Sequence, residues 1–491
     1  MMLSRDSLSR RKFTALAAAF ALLVVTASGG CKRNQSEPGS PGEPLAELPL
    51  RLLVIEDEPL ADAVKLAWDS RVGGSTKVIQ LTAAELRESD RTRLSADVIL
   101  YPSYLLGDLV ERGLIEPLDA EAVADPVFDR QGLFELTRLR EITWGSKVYA
   151  VPLGSPQFTL LYRKDIFSKL QLEPPTTWEQ YQVLAKRLAD RSAIGDIASP
   201  DDQKWQGAVE PLAPTWAGSM LLARAAAYAR HRNQYSTLFD FNSMAPLIAS
   251  PPFERALEEL AASAADESAA RHTPDETRRI FLAGQCAMAI TWPSRAADAS
   301  DEATTDRDDW IGVAELPGSP DVYNYSTQSW ELRTAEESVH VSLIAIDGRL
   351  ASVTKDCRRK KHALGMLFMI SGNELGTTIG SASSHTTLFR ESQLGQEIAW
   401  VDQALEGAPA RQYGEVVQAA QNRAAWLDAL RIPGRDKYIA ALDQAVSSVL
   451  AAEATPGEAL ETASADWDRI TDSIGREIQQ QGYMRSLGLE P

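Results

Sequence analysis

The chain has 491 residues, 44% hydrophobic and 24% charged, the balance of an ordinary globular protein. Its formal net charge of −18 argues against nucleic acid or an anionic bilayer surface as partner. The length exceeds what one core organises, so two large lobes or more are expected.

The front segment reads as an export signal. The run from Ala15 to Ala27 is apolar and too short to span a membrane, which takes roughly 20 residues. SRRKF at 9–13 resembles the twin-arginine export motif. Ser28-Gly29-Gly30 precedes Cys31, as in a bacterial lipobox, although Ser28 replaces the large aliphatic residue usual there. The expectation is a signal peptide over 1–31 and a lipid on Cys31. Residues 32–48 are rich in Pro, Gly, Ser and Glu and read as a flexible tether. The body would then stand on the outer face of the cytoplasmic membrane, facing the periplasm.

Beyond the tether, LRLLVI (50–55) reads as a buried strand that ends in the acidic loop Glu56-Asp57-Glu58. Leu60 to Trp68 has helical spacing. ADVILY (96–101) is a second such strand, followed by Pro102-Ser103-Tyr104 and a short helix that Gly113 stops. Alternation of this kind implies an α/β lobe with a largely parallel sheet, whose ligands sit beyond the C-terminal strand ends. KVYAVPLGSP (147–156) is a strand broken by prolines, and Phe158 to Tyr162 is another. Thr176 with Glu179 predicts a capping box, and Trp178, Tyr181, Ala185 and Leu188 share the apolar face of the helix that follows. Thr273-Pro274-Asp275-Glu276 repeats the device before a helix that ends at Gly284. CAMAITW (286–292) is a buried strand, 296–309 a polar surface insertion and 311–316 a short strand. A helix is predicted over 361–370, and the chain from Val401 on reads as mostly helical, including Trp426, Leu427 and Leu430. Ser464 to Tyr483 reads as the final helix. Cys286 and Cys357 either pair or remain buried thiols, and neither has metal-ligand spacing.

Several blocks together resemble the extracellular solute-binding proteins of ABC importers, the sugar-binding branch in particular. They are GLIEPLD (113–119), YAVP (149–152), LYRKDIF (161–167), PPTTWEQY (174–181), FLAGQCAM (281–288) and GVAELPG (312–318). The resemblance covers residues 95 to 390 and fades afterwards. It implies an α/β, two-lobed periplasmic binding protein fold of type II-like topology with a helix-rich C-terminal part. By analogy the first lobe holds 49–152 plus 293–340 and the second 157–291 plus 345–491. Pro152–Pro156 and Trp292–Ser294 would then be crossovers. The resemblance further implies a monomer without cofactor or metal, which closes on a solute by hinge motion and delivers it to ABC permease subunits.

Sugars want polar partners for their hydroxyls and aromatic rings for their C–H faces. The polar candidates are Glu56, Asp57, Glu58, Ser103, Gln157, Ser294, Arg295 and Gln328. The aromatic candidates are Tyr101, Tyr104, Trp216, Trp292, Tyr325 and Trp330. The loop Gly380 to His385 is small, polar and follows a helix, so it is a further candidate for the cleft. Bland readings stand beside these: a solvated acidic loop for Glu56–Glu58, a surface ion pair for Arg295 and core packing for Trp292. The basic run Arg358 to Lys361 reads as an exposed loop. YNYSTQSW (323–330) departs from the glycine-rich strand of relatives at the corresponding place. The sequence holds no His-Glu-x-x-His, no Gly-x-Ser-x-Gly and no phosphate loop. A carbohydrate-binding, non-enzymatic protein is therefore the leading expectation. A periplasmic sensor on the same fold and a secreted glycan hydrolase are the alternatives.

Overall fold

A computed structural model describes residues 49–73, 75–88, 92–194, 205–264, 271–295 and 310–490. The expected signal peptide, Cys31, the tether and the insertion at 296–309 lie outside these.

The first part of the chain runs β1 (Arg51–Ile55), α1 (Glu58–Val72), β2 (Lys77–Leu81), α2 (Ala83–Glu88) and β3 (Val98–Pro102). It continues through α3 (Leu106–Glu111), α4 (Ala120–Val123) and a hairpin of β4 (Thr143–Trp144) and β5 (Lys147–Val148) to β6 (Val151–Gly154). The middle part is β7 (Thr159–Arg163), α5 (Lys164–Leu170), α6 (Trp178–Ala189), β8 (Gln206–Val209), α7 (Ala217–Ala229) and α8 (Pro251–Ser263). Next come α9 (Pro274–Leu282), β9 (Cys286–Thr291), β10 (Ile311–Glu315) and a ribbon of β11 (Asp321–Asn324) and β12 (Ser329–Leu332). The last part is β13 (Ser342–Ile344), β14 (Arg349–Val353), α10 (Lys360–Ser371), α11 (Gly376–Gly380), α12 (Ala408–Gln421) and β15 (Trp426–Asp428). Three helices end the chain, α13 (Arg435–Leu450), α14 (Pro456–Ile474) and α15 (Arg476–Ser486).

Two sheets define two lobes. The first has the order β2-β1-β3-β14-β6 and the second β10-β7-β9-β8. Strands β1 and β3 are wholly apolar apart from Arg51, because helices cover both faces of such a sheet. Within these two sheets only β2-β1-β3 and β8-β9 are parallel, so the sheets are more mixed than the alternation of elements suggested. Strand β14 runs antiparallel between β3 and β6.

Strand pairing also reverses part of the expected division of the chain. Strand β10 joins β7 in the second sheet, although 293–340 was assigned to the first lobe. Strand β14 completes the first sheet, and α10 packs on β6 and β14, although 345–491 was assigned to the second lobe. Because β9 and β10 share a sheet, Trp292–Ser294 is a loop end of the second lobe and not a crossover. The chain crosses between the lobes at 155–158, at 345–348 and again between α11 and α12. The parallel pair β13–β15 lies beside the second crossing, so Trp426 and Leu427 are in a strand where helical spacing was expected.

Caps fall close to expectation. Thr273 and Glu276 form the reciprocal capping box of α9. Helix α6 starts one residue later than predicted: Thr177 caps it, and Gln180 rather than Glu179 reaches back, to the Thr176 N–H. A further box, Thr455 with Glu458, opens α14 ahead of the expected start. Cys286 and Cys357 are buried free thiols. Among the described residues no helix is long and apolar enough to cross a membrane.

Candidate functional site

The first lobe builds an ionic cluster at the C-terminal end of β1. Glu56 turns the chain at φ +54, and Asp57 then caps α1 by accepting from the Leu60 N–H at 3.1 Å. The same carboxylate accepts from Arg349 Nε at 2.7 Å and from the Ser383 hydroxyl at 2.5 Å. Arg349 opens β14 and is 2% exposed. Its Nη1 donates to Asp347 Oδ1 at 2.7 Å. The other Asp347 oxygen lies 2.5 Å from Nδ1 of His385, whose side chain is 36% exposed. An ionised carboxylate only accepts, so Nδ1 carries the hydrogen and the ring is held in one orientation. Burial acts to raise the Asp347 carboxyl, but Arg349 and His385 outweigh it and hold the group well below the usual carboxylate range. Burial likewise acts to lower Arg349, and Asp347 and Asp57 more than offset this. Three stretches far apart in sequence thus converge on one cluster with two buried carboxylates, one guanidinium and one imidazole.

The second lobe contributes an aromatic wall. The Trp292 ring lies 5.5 Å from that of Trp216 and 5.8 Å from that of Phe158, with Phe158 and Trp216 at 6.4 Å. Trp216 precedes α7 and is half-buried. Asp443, on α13, fixes this segment by accepting from the N–H groups of Thr215 and Gly218, each at 2.8 Å. Trp292 is buried, and its Nε1 donates to the Ser384 carbonyl at 3.1 Å, as does the Ser294 hydroxyl at 3.1 Å. One loop therefore touches both sides: Ser383 and His385 bind the ionic cluster, and Ser384 meets the aromatic wall. Two further contacts join the lobes. The Arg435 guanidinium, at the start of α13, stacks 4.1 Å over the Tyr104 ring, and Arg87 of α2 pairs with Asp436. Burial, then Asp347 nearby, pushes the Tyr104 hydroxyl up to about 12.

Of the residues singled out in the sequence, Asp57, Tyr104, Trp216, Trp292, Ser294 and the loop to His385 come together here. Glu56 and Glu58 stand exposed at the same edge, with Glu56 accepting from the Ala83 N–H at 2.8 Å. Arg295 is exposed beside Ser294. Tyr101 is instead a fully buried strand residue whose hydroxyl is spent on Ser352 at 2.7 Å. Ser103 is buried and spends its hydroxyl on the Asp347 carbonyl. Gln157 is buried in the first crossing and lines a pocket with Glu315 and His340. Tyr325, Gln328 and Trp330 lie elsewhere, on the β11–β12 ribbon against α7 and α8. The Tyr325 hydroxyl meets Ser250, Trp330 packs on Tyr228, and Gln328 is in the turn at φ +52. The basic run Arg358 to Lys361 is used structurally: Arg359 pairs with Asp97 and Lys360 with Glu116.

Asp347, Arg349, Arg435 and Asp443 were not foreseen. Arg349 did carry a signal, because an arginine opening an apolar strand two residues after an aspartate needs a buried partner. The others gave none, since their partners come from distant segments. Among the described residues no three His, Cys, Asp or Glu side chains gather as a metal site.

Residues 71–332 match the family model described as bacterial extracellular solute-binding protein. Solved structures agree in fold. The sugar-binding protein MalE from Xanthomonas citri superposes with a TM-score of 0.64 at 14% identity, covering 88% of this chain and 100% of that one. An ABC transporter solute-binding protein from Agrobacterium radiobacter, in complex with ribitol, gives 0.62 at 18% identity, covering 87% and 100%. One from Agrobacterium vitis, with bound D-mannitol, gives 0.60 at 16% identity, covering 87% and 99%. The two-lobed fold, the crossings and the matched family model agree: this chain belongs to the bacterial extracellular solute-binding proteins.

Proposed function

We propose that the chain binds a carbohydrate or polyol between the ionic cluster of the first lobe and the aromatic wall of the second. The single observation that carries this reading is the loop Ser383–His385, which brings Asp57 and His385 to the same place as Trp292 and Trp216. Polyhydroxy solutes need both surfaces, since an unpaired buried hydroxyl costs about 1–3 kcal/mol and ring faces bury large area with few loose torsions. The solved structures with ribitol and D-mannitol bound support the class. Glu56, Glu58, Tyr104, Ser294 and Arg295 supply further contacts at the rim. A solute that touches both lobes binds their closed arrangement better than the open one, and so shifts the population towards it. The closed form is what an ABC permease receives. A lipid on Cys31, after twin-arginine export, holds the protein at the membrane. The cleft binds its solute without altering it.

The test is a thermal-shift screen of the full chain against polyols, mono- and oligosaccharides, amino acids and polyamines. A ligand present at about 100 times its Kd adds about 2.7 kcal/mol of stability, a shift of a few degrees. A polyol or sugar hit recovered chemically intact supports the reading. A hit confined to amino acids or polyamines removes the carbohydrate assignment, and turnover of a glycan removes the binder.

A further inference from the structure

A second buried charge cluster sits where the chain crosses between the lobes. Residues 137–141 form a π-helical turn, an arrangement that is rare and concentrates at functional places. The turn ends at Glu141, which is 1% exposed. Both shorter crossings reach this side chain. The Ala345 N–H and the Ser155 hydroxyl bear on its carboxylate, and Thr137 Oγ1 lies 3.4 Å from Oε2. Yet Oε1 and the Ser155 hydroxyl are both buried without a well-formed hydrogen bond. A proton on Oε1 would supply the missing donor. The crossings are packed tightly here. Gly348 adopts φ +79, and a Cβ there would run into Ser155. Ala345 and Leu430 are also in the left-handed region, at φ +58 and +66. Hinge rotation has to change the relation of Ser155 to Ala345, and with it the surroundings of Glu141.

The charges around Glu141 do not balance. Arg431 is the cation that faces it, and its Nη1 grips the carbonyls of Arg140 and Glu141, each at 3.1 Å. Its Nε is engaged by Asp428 Oδ2 at 2.8 Å. Asp428 is itself buried, and its Oδ1 has no partner. Arg140 and Arg435 act on Asp428 from further away, with Arg140 donating to the Leu487 carbonyl and stacking over Trp426. Ser155, Ala345 and Gln421, whose Oε1 lies 3.2 Å from Thr137 Oγ1, bring no charge. Two buried carboxylates therefore share one close guanidinium.

We propose that Glu141 is a proton-linked hinge switch: the packed crossings hold its carboxyl protonated, and parting of the crossings solvates the group and releases the proton. Burial pushes the carboxyl up to about 7, ahead of the opposing effect of Arg431, so the exchange falls near neutral pH. Rising pH then favours lobe arrangements in which Glu141 meets water. No bound solute is required, so the switch stands or falls separately from the carbohydrate reading.

The experiment uses the full chain without solute, with Cys31→Ser and fluorophores at Leu66→Cys on α1 and Val183→Cys on α6, both exposed positions. Energy transfer between the lobes is followed across about pH 6 to about pH 8. The expected result is one sigmoidal change with its midpoint near 7, absent in Glu141→Gln, which keeps the low-pH value throughout. Thr137→Ala removes a donor to the ionised form and moves the midpoint to higher pH. Infrared difference spectra of the unlabelled protein show the carbonyl stretch of a protonated carboxyl that bleaches over the same range. A flat wild-type profile, an unchanged profile in Glu141→Gln, or the absence of that band overturns the proposal. Should Glu141→Gln fail to fold, the midpoint of Thr137→Ala and the infrared band decide alone.

Discussion

The cleft cluster and the hinge cluster both bury carboxylates, yet Asp347 in the first is lowered and Glu141 in the second is raised. At the cleft, Asp57 and Asp347 face Arg349 and His385, and Asp347 is held well below the usual range. At the hinge, Glu141 and Asp428 face Arg431, and burial raises both carboxyls. Burial acts in one direction in each place. What differs is how the guanidinium engages the carboxylates: Arg349 donates to both Asp57 and Asp347, whereas Arg431 donates to Asp428 and to the Glu141 carbonyl but not to the Glu141 carboxylate. The lowered Asp347 carboxyl therefore stays ionised across the physiological range, whereas the raised Glu141 carboxyl exchanges its proton within it.

Removing the central cation of the cleft cluster breaks this comparison most sharply. Arg349→Met leaves Asp57 and Asp347 buried without a guanidinium, and the expected loss is about 3–5 kcal/mol in urea unfolding of the full chain. Adding Asp57→Asn and Asp347→Asn to Arg349→Met recovers most of it. If Arg349→Met alone unfolds like the wild type, the cleft cluster contributes nothing to stability.

The pH dependence of stability sharpens the same contrast, and its signs follow from the two clusters. Glu141 is raised from 4.5 to about 7 in the folded state. Between these values the folded form binds more protons than the unfolded, so stability falls as pH rises through the window. Asp347 is lowered, so its contribution is complete above the ordinary carboxylate value and is lost only as pH falls further. Glu141→Gln should consequently flatten the slope between about 4.5 and about 7 and stabilise the protein by about 1–3 kcal/mol above it. Asp347→Asn should leave that slope intact and remove stability that the wild type shows near neutrality.

A smaller effect separates the wall from the ribbon. Trp216→Ala is expected to weaken solute binding by about 10-fold, or about 1.4 kcal/mol, and to lower stability as well, because the ring packs on Phe158 and Trp292. Trp330→Ala on the β11–β12 ribbon leaves solute affinity unaltered, because its partners Tyr228 and Arg255 belong to α7 and α8. Titration calorimetry of both variants with the solute found by the screen checks this pair. Equal losses would return the ribbon to the cleft.

These contrasts also mark what could be read from the chain in advance. The runs of β1, β3, β7 and β9 are apolar between their ends, and Thr273 with Glu276 announces α9, because such signals are local. Sheet membership is not local. The segments that became β10 and β14 have the same apolar look, and only pairing with distant strands sends each to its sheet. Asp57 and Arg349 are 292 residues apart, so a loop that reads as merely acidic becomes one end of a buried ion pair. Trp216 was legible as a tryptophan among Pro and Thr. Asp443, which holds its backbone, was one more polar residue on a helix.

The smallest expected effect belongs to the exposed bridge between the lobes. Arg87 and Asp436 meet across the gap between α2 and α13, but both side chains reach water. Water and salt screen such a pair, so it contributes about 0.2–1 kcal/mol, far less than either buried cluster. Arg87→Ala should barely move the unfolding curve. It removes an attraction that exists only while the lobes touch, so it should shift the lobe distance at low salt and cease to do so at high salt. Glu141→Gln, acting on a cluster that water does not reach, should alter the same distance almost independently of salt. Energy transfer between Leu66→Cys and Val183→Cys, read against ionic strength in both backgrounds, separates the two. Salt dependence in both would mean that the hinge cluster is wetter than its burial indicates, and that direct bonding to a guanidinium is not what sets the cleft apart from it.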